Sequence, residues 1–387
     1  MKIIIFSESY YPIINGVSVS TDTLSKGLRE RGHDVYIVAP HYPDHKDTDK
    51  NIIRTNSLKK LTDNFPLPVR LSKRIDNKIS SIAPDIVHTQ IPFTYGKIAT
   101  NWCKKNNICH VSVNHTLYVD YMHYCPFVIR KLVQSKLKRY LKTFYNNCDG
   151  IITPSNMMKN HLLDYGVNKK IEIIPTGIDY PKEIDREKTR KIKESLNINE
   201  NDIVLIYLSR IAKEKNIDLL ISSFEIIYKQ NKNIKLLIVG GGPQEAELKA
   251  KANSMDCGKN IIFTGMIPKK DVYSYLACGD IFTFPSYTET QGLAICEAMA
   301  SGLGVVAVNG GGVPENINNN IDGILCENDK ADFANKILYL VNNPNKLKDI
   351  QESAIIKAQD FSIDNMIDKY ESYYIKKIEE FKSKNNE

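Results

Sequence analysis

The sequence predicts an α/β protein built from two doubly wound domains, and three observations lead there. Short apolar runs alternate with amphipathic stretches along nearly the whole chain, the pattern of repeated strand-helix units and parallel sheets. The alternation stops at a highly charged stretch, YPKEIDREKTRKIKESLNINEND (residues 180–202), and then begins again. At 387 residues, with 42% hydrophobic and 25% charged residues, the chain is too long for one ordinary core and suits two domains of similar size.

Taken in order, strands are expected at residues 2–6, 34–39, 86–89, 109–113, 150–153 and 172–174, each a short apolar run. The amphipathic stretches between them predict helices over 21–31, 73–81, 95–106, 127–146 and 155–164. The charged stretch lacks an apolar run long enough for a strand and reads as a linker plus a surface helix. Strands resume at 203–208, 235–239, 261–263, 281–284, 305–307 and 323–325, and residues 363–381 form an amphipathic helix expected to pack back on the first domain. The expected division is therefore 1–178, a linker at 179–202, 203–362, and a returning helix at 363–387.

Composition removes several function classes. The eight cysteines are scattered without a C-x-x-C pair and lie mostly in apolar runs, which points to reduced, buried thiols in a reducing cytoplasm and away from a disulfide or zinc framework. MKIIIF runs straight into SESYYP with no basic lead or small-residue cleavage site, and no run reaches the roughly 18 apolar residues of a spanning helix. A net charge of +7 is modest and gives no sign of a nucleic-acid partner. One local excess stands out: residues 128–145, VIRKLVQSKLKRYLKTFY, hold six basic residues and no acidic one.

In doubly wound sheets ligands bind beyond the carboxyl ends of the strands, so the loops there are where chemistry is sought. FPSYTETQGLAICEAMA, residues 284–300, leaves a strand and enters a helix at Leu293. Thr290, Gln291 and Gly292 then stand at a helix N-terminus, whose unpaired N–H groups hold anions, and Gly292 allows close approach of a ligand. Glu289 precedes that site and Glu297 lies one turn into the helix. Either both touch one bound molecule, or Glu289 is a cap favoured by the helix dipole and Glu297 a surface residue. Leu208-Ser209-Arg210 and the following IAKEKN bring Arg210 and Lys215 to the same end of the sheet. Such a cationic pair suits a diphosphate leaving group, or it is solvated surface in a lysine-rich chain. His115 follows strand 109–113 and, read alone, is either a packed imidazole or a site residue.

E-T-Q-G-L-A-I-C-E, with two glutamates separated by seven residues and followed by A-M-A-S-G and an apolar strand, resembles the retaining nucleotide-sugar glycosyltransferases of family four. Lys2–Phe6 with an Asn15-Gly16-Val17 loop, RGHDVYIVAP, PDIVHTQ, IITPS, IPTGID, SRIAKEKN, VGGGP and FTG fall in that family's order, so the resemblance covers nearly the whole chain. It implies the GT-B fold: two facing Rossmann-like domains with a deep interdomain cleft. It also implies roles. Arg210 and Lys215 hold the diphosphate, Glu289 binds hydroxyls of the donor sugar, and backbone N–H groups from Thr290 and Gln291 through Gly292 to Leu293 serve sugar and phosphate. Glu297 binds the ribose, Thr264-Gly265-Met266 floors the base, Gly16 admits the phosphates, and His115 contacts the transferred sugar.

HTLYVDYMHY resembles the H-T-x-Y-x-x-Y-x-H-Y region of the bacterial diacylglycerol glucosyltransferases, which implicates Tyr118 and Tyr121 on the acceptor side, although Val119 stands where an acidic residue is expected. At 100° per residue Ile129, Val133, Leu137, Tyr140 and Phe144 share one side of the basic segment while Lys131, Lys138, Arg139 and Lys142 share another. That is either a helix resting on an anionic membrane or an ordinary packed helix with a solvated face. The D-x-D at Asp47-Thr48-Asp49, with His41 and His45 nearby, lies in a polar loop with no strand leading into it and is set aside as a metal site; Gly310-Gly311-Gly312 is read as a strand-to-helix turn.

The expectation is a metal-independent retaining hexosyltransferase without cofactor, moving glucose from UDP-glucose to diacylglycerol on the inner face of the cell membrane. The alternatives are the same chemistry on a soluble or polysaccharide-precursor acceptor, or a nucleotide-sugar-binding regulator without turnover.

Overall fold

Ile3, Ile4, Ile5 and Phe6 are all buried, which a strand achieves only when both faces of its sheet are covered. Their side chains alternate. Ile3 and Ile5 join one apolar cluster, while Ile4 and Phe6 join another on the opposite face. The computed structural model describes residues 1–42, 45–58, 67–68, 71–119, 127–181 and 183–386. The chain divides into two units, one of Met1–Thr176 with Ile363–Glu387 and one of Gly177–Ser362.

In the first unit the strands are β1 (Lys2–Phe6), β2 (Asp34–Pro40), β3 (Ile52–Thr55), β4 (Ser57–Leu58), β5 (Leu67–Pro68), β6 (Ile86–Thr89), β7 (Cys109–Val113), β8 (Gly150–Thr153) and β9 (Ile171–Ile173). Seven of them form a parallel sheet in the order β3-β2-β1-β6-β7-β8-β9, and β4 pairs with β5 separately. Helices α1 (Gly16–Glu30), α2 (Lys73–Ile82), α3 (Thr94–Asn106), α4 (Phe127–Asn146) and α5 (Asn156–Asp164) connect them. The second unit holds α6 (Arg186–Ser195), β10 (Ile203–Leu208), α7 (Ile217–Gln230), β11 (Ile234–Val239), α8 (Glu245–Asn253), β12 (Ile261–Gly265), α9 (Val272–Leu276), β13 (Ile281–Phe284), α10 (Leu293–Ala300), β14 (Gly304–Val308), β15 (Ile324–Cys326), α11 (Lys330–Val341) and α12 (Pro344–Ala358). Its six strands are parallel in the order β12-β11-β10-β13-β14-β15.

Each sheet reverses its winding once. Strand order turns back between β1 and β6 in the first unit and between β10 and β13 in the second, and at such a point the loops diverge to open a crevice.

The structure corrects several sequence expectations. Asn15-Gly16-Val17 is no loop: Asn15 caps α1 and Gly16 and Val17 form its first turn. The Asn15 side chain accepts from Ser18 N–H at 3.0 Å, and the Ser18 hydroxyl accepts from Asn15 N–H at 2.8 Å. The expected start at residue 21 overlooked this box. β3 was not foreseen either, because its IIRT sequence holds only two apolar residues and the strand is half-buried at the sheet edge. β2 ends at Pro40, so the acidic pair lies in the β2–β3 connection. The charged stretch belongs to the second unit, with Ile192 and Ile198 buried in its core.

The last helix, α13 (Ile363–Asn386), covers one face of the first unit's sheet with Met366, Ile367, Tyr370, Tyr373 and Tyr374. The Tyr373 hydroxyl accepts from Ile151 N–H at 3.0 Å, and His33 meets Glu371 at 2.8 Å. Cys103, Cys109, Cys148, Cys257, Cys278, Cys296 and Cys326 are free and buried. Among the described residues no helix is long and apolar enough to cross a membrane.

Tyr374 also hydrogen-bonds Nδ1 of the fully buried His88 at 2.8 Å, while Nε2 of that ring has no partner among the described residues. Burial drives the His88 pKa down to about 3, so the ring is neutral. Tyr374→Phe strands the imidazole and is expected to destabilise the first unit by about 1–3 kcal/mol, read as a lower urea midpoint.

Candidate active site

The crevice of the second unit lies between the loops that follow β10 and β13, and hydrogen bonds knit those loops together. The Glu214 carbonyl accepts from the Ser286 and Thr288 hydroxyls, both at 3.3 Å, and Asn216 Nδ2 donates to the Pro285 carbonyl at 3.1 Å. Asn216 stands in the left-handed region at φ 56°, ending the Lys213–Lys215 turn. This brings Lys215 to Glu289. The two side chains form an ion pair and are only 18% and 17% exposed. Arg210, on the same loop, pairs with Glu214 at the surface.

A glycine run shapes the Arg210 loop from outside. Ile211 N–H donates to the Gly241 carbonyl at 2.9 Å. A Cβ on Gly240 would lie 2.0 Å from the Ser209 carbonyl oxygen, and one on Gly242 2.1 Å from that of Ile211. VGGGP is thus a turn stripped of side chains so that two backbones can touch.

Gly292, at φ 84°, opens α10 and offers no side-chain cap. Glu297 faces inward one turn later, half-buried, with no hydrogen-bond or ion-pair partner for its carboxyl among the described residues. Desolvation raises its pKa from 4.5 to about 7; Lys269 opposes the rise and Asp179 adds to it. At the end of β12, Thr264 donates to the Gly265 carbonyl at 2.9 Å, Gly265 has φ 73°, and Met266 is 85% exposed. One unit therefore brings together Arg210, Lys215, Glu289, Thr290, Gln291, Gly292, Leu293 and Glu297 on the loops and helix around the β10–β13 junction, while Thr264, Gly265 and Met266 lie at the end of β12, two strands from β10 in the same sheet.

The remaining expected residues lie in the first unit. His115 follows β7, and its Nε2 meets Oε1 of the buried Gln90 at 2.9 Å. Burial lowers its pKa to about 4, which leaves it a neutral hydrogen-bonding ring. A Cβ at Gly16 would meet nothing within 4 Å, so packing within the chain does not demand glycine there. Glu8, not foreseen in the sequence, accepts from Tyr95 N–H at 2.8 Å at the start of α3, where Phe93 supplies no cap. Tyr118 packs edge-on to Phe93 with centroids 4.9 Å apart; Val119 is buried; Tyr121 lies outside the described residues.

On α4, Lys131, Lys138, Arg139 and Lys142 are exposed, with Lys138 5.3 Å from the Tyr165 ring centre. Its inner stripe is wider than expected, since Leu141 and Tyr145 join Leu137, Tyr140 and Phe144; the Ile129 side chain lies outside the described residues. A groove of about 970 Å³ between α2, α3 and α4 is floored by Phe93, Ile98, Trp102 and Tyr140 and edged by Lys73, Lys97 and Lys105.

Comparison with known proteins bears on what these parts belong to. Residues 14–181 match the family described as Glycosyltransferase Family 4, and residues 188–357 match Glycosyl transferases group 1. The alpha-monoglucosyldiacylglycerol synthase of Streptococcus pneumoniae is 33% identical over 317 residues, 79% of this chain and 71% of that one. The chain is a family-4 glycosyltransferase. The enzyme of the same name from Acholeplasma laidlawii is 29% identical over 398 aligned positions, spanning 100% of both chains. A glycosyltransferase from Rickettsia africae superposes with a TM-score of 0.77 at 23% identity, over 97% of this chain and 98% of that one, and shares its GT-B fold.

As a glycosyltransferase the protein transfers a sugar unit. Its D-x-D carboxylates are both taken by arginines: Asp47 receives Arg54 Nε at 2.8 Å and a second guanidinium nitrogen at 2.6 Å, and Asp49 receives Arg29 at 2.7 Å. No group of three or more His, Cys, Asp or Glu that could hold a metal ion occurs among the described residues. Sequence reasoning missed Asn316, which is buried and donates to the Gln291 carbonyl of the glycosyltransferase's α10 loop. It passed over Gly310, Gly311 and Gly312 as a turn, although they press on that same loop. Asn-Gly contacts made across the fold leave no periodic trace, so only the G-G-G-V-P-E run itself could have flagged them.

The Glu297 shift has a consequence for stability. Between 4.5 and about 7 the folded glycosyltransferase holds a proton that the unfolded chain has released, so a contribution present below 4.5 is lost as pH rises through about 7. Urea midpoints compared at pH 5 and pH 7.5 are expected to contain a decline that Glu297→Gln removes; an unchanged slope in that variant contradicts the assignment.

Proposed function

We propose that this glycosyltransferase moves glucose from UDP-glucose to the free hydroxyl of diacylglycerol at a membrane surface, with retention at the anomeric carbon and without a metal ion. The observation that carries the donor half is the Lys215–Glu289 pair beside the α10 N-terminus, at the point where the sheet reverses. A nucleoside diphosphate sugar re-satisfies both members at once: its diphosphate replaces Glu289 as the partner of Lys215, and its sugar hydroxyls replace Lys215 as the partners of Glu289. Arg210, paired with Glu214 at the exposed surface, turns to the same phosphates. Charge growing on the leaving diphosphate is thereby met by fixed cations and backbone N–H groups, the task a metal ion performs elsewhere.

Glu297 takes the ribose hydroxyls, and exposed Met266 is covered by the base. Neutral His115 exchanges hydrogen bonds with the transferred sugar. The reaction follows a front-face route in which the bond from C1 to phosphate breaks, the acceptor oxygen bonds C1 on the same side, and the departing phosphate oxygen takes the acceptor proton. Glu289 is then a binder and not a nucleophile.

The acceptor half is supported by the two relatives named alpha-monoglucosyldiacylglycerol synthase, one of them matched over its full length. The apolar groove edged by lysines and the exposed basic face of α4 suit a lipid on an anionic, cytoplasmic surface. A soluble or polysaccharide-precursor acceptor is favoured by one fact, that the apolar stripe of α4 is already buried in its own unit.

Two expected outcomes separate these readings. Protein incubated with labelled UDP-glucose or UDP-galactose and vesicles of diacylglycerol plus anionic phospholipid should carry α-linked glucose into the organic phase, undiminished by chelator. Label left wholly in water sinks the lipid acceptor, and loss restored by magnesium sinks metal independence. Changing Lys131, Lys138, Arg139 and Lys142 to Ser should remove about 4 kcal/mol of vesicle attraction at about 1 kcal/mol each, and wild-type binding should weaken with salt. Equal pelleting of variant and wild type hands the advantage to the soluble acceptor.

A further inference from the structure

The segment after β14, residues 309–316, touches four residues of the Glu289 loop in succession. A Cβ on Gly310 would lie 2.7 Å from the Tyr287 Cβ, one on Gly311 2.5 Å from the Glu289 carbonyl oxygen, and one on Gly312 2.3 Å from the Thr290 carbonyl oxygen. Gly311 also stands at φ 56°, where a side chain is strained. Gly312 N–H donates to the Glu289 carbonyl at 2.7 Å, and Asn316 Nδ2 donates to the Gln291 carbonyl. The segment is itself pinned. Asn309 N–H donates to the Cys326 carbonyl at 2.8 Å, Asn316 N–H to the Val313 carbonyl at 3.1 Å, and Asn316 is only 1% exposed.

We propose that residues 310–316 are a template that sets the geometry of the donor loop, with Asn316 as the positioning residue for the nucleoside diphosphate site. The reason lies in the peptide bond. In a trans peptide the carbonyl of one residue and the N–H of the next point in opposite directions across a rigid plane. Holding the Gln291 carbonyl on Asn316 therefore aims the Gly292 N–H away from Asn316, and holding the Glu289 carbonyl on Gly312 aims the Thr290 N–H away from the glycine run. Two N–H groups of the loop are thus oriented through the preceding carbonyls, by residues on the far side of each peptide plane. A glycine at position 292, at φ 84°, would otherwise leave that plane free to rotate. The three glycines are required because a backbone, and not a side chain, must lie against the loop.

This rests on reading the loop as the diphosphate site, and the test keeps the two apart. In the full-length protein, UDP binding is measured by calorimetry for wild type, Asn316→Leu, Asn316→Ser and Gly311→Ala, with circular dichroism and melting as checks on folding. Leu keeps the bulk of Asn316 and loses the donor, while Ser loses bulk and keeps a donor. Positioning predicts that N316L weakens UDP binding about tenfold or more, N316S less, and G311A in the same direction as N316L. Donor KM should rise in N316L while acceptor KM stays put. A packing role gives the reverse order, with N316L binding UDP better than N316S, and that result overturns the proposal. If N316L does not fold, G311A carries the test alone, and wild-type UDP affinity there overturns it equally. Wild-type protein that binds none of UDP, GDP or ADP removes the donor-site reading and this proposal with it.

Discussion

A parallel sheet covered on both faces leaves one place for chemistry, the loops beyond the carboxyl ends of its strands, and both units obey that constraint. Because β10 and β13 are neighbours whose connections run to opposite sides, the chain following each must diverge, and the residues that bridge the gap are polar by necessity. Ser286, Thr288 and Asn216 satisfy backbone carbonyls there and, in doing so, fix where Lys215 and Glu289 meet. The candidate site is a by-product of satisfying backbone hydrogen bonds at a sheet junction.

The ion pairs around that junction differ in strength in a way that bears on the proposed chemistry. Arg210–Glu214 is exposed and spaced four residues apart, an arrangement that contributes a few tenths of a kcal/mol, so a diphosphate displaces it easily. Lys215–Glu289 is shielded, and separating it without replacement leaves two half-buried charges. Only a ligand presenting anion to one and hydroxyls to the other avoids that cost. Under the proposed function this favours a ligand that carries diphosphate and sugar together over free phosphate or free sugar.

How much of this was legible in the sequence depends on whether the signal was local. Parallel strands announce themselves as unbroken apolar runs, so Ile203–Leu208 and Ile281–Phe284 stood out, and with them the fold class. Glu289 and Glu297 were legible through their spacing around Gly292, but the burial that raises the Glu297 pKa was not, since it comes from packing no period encodes. The start of α1 was missed although Asn15 and Ser18 form a capping box, because Gly16 in its first turn reads as a breaker. Asn316 was illegible for a different reason: its partner is a carbonyl oxygen twenty-five positions away, and every residue type offers one.

The placement of α13 has a consequence for how the chain comes to its structure. The sheet face that it covers, including Ile3, Ile5 and Val111, is made from residues synthesised early, yet the covering helix is encoded after the whole of the second unit. At about 5–20 residues per second on the ribosome, that apolar face waits on the order of ten to forty seconds for its lid. During that interval the early half is a sticky, incomplete body that a chaperone or a neighbouring nascent chain can seize. Its maturation is thus timed by the emergence of α13, whatever the speed at which its own strands pair.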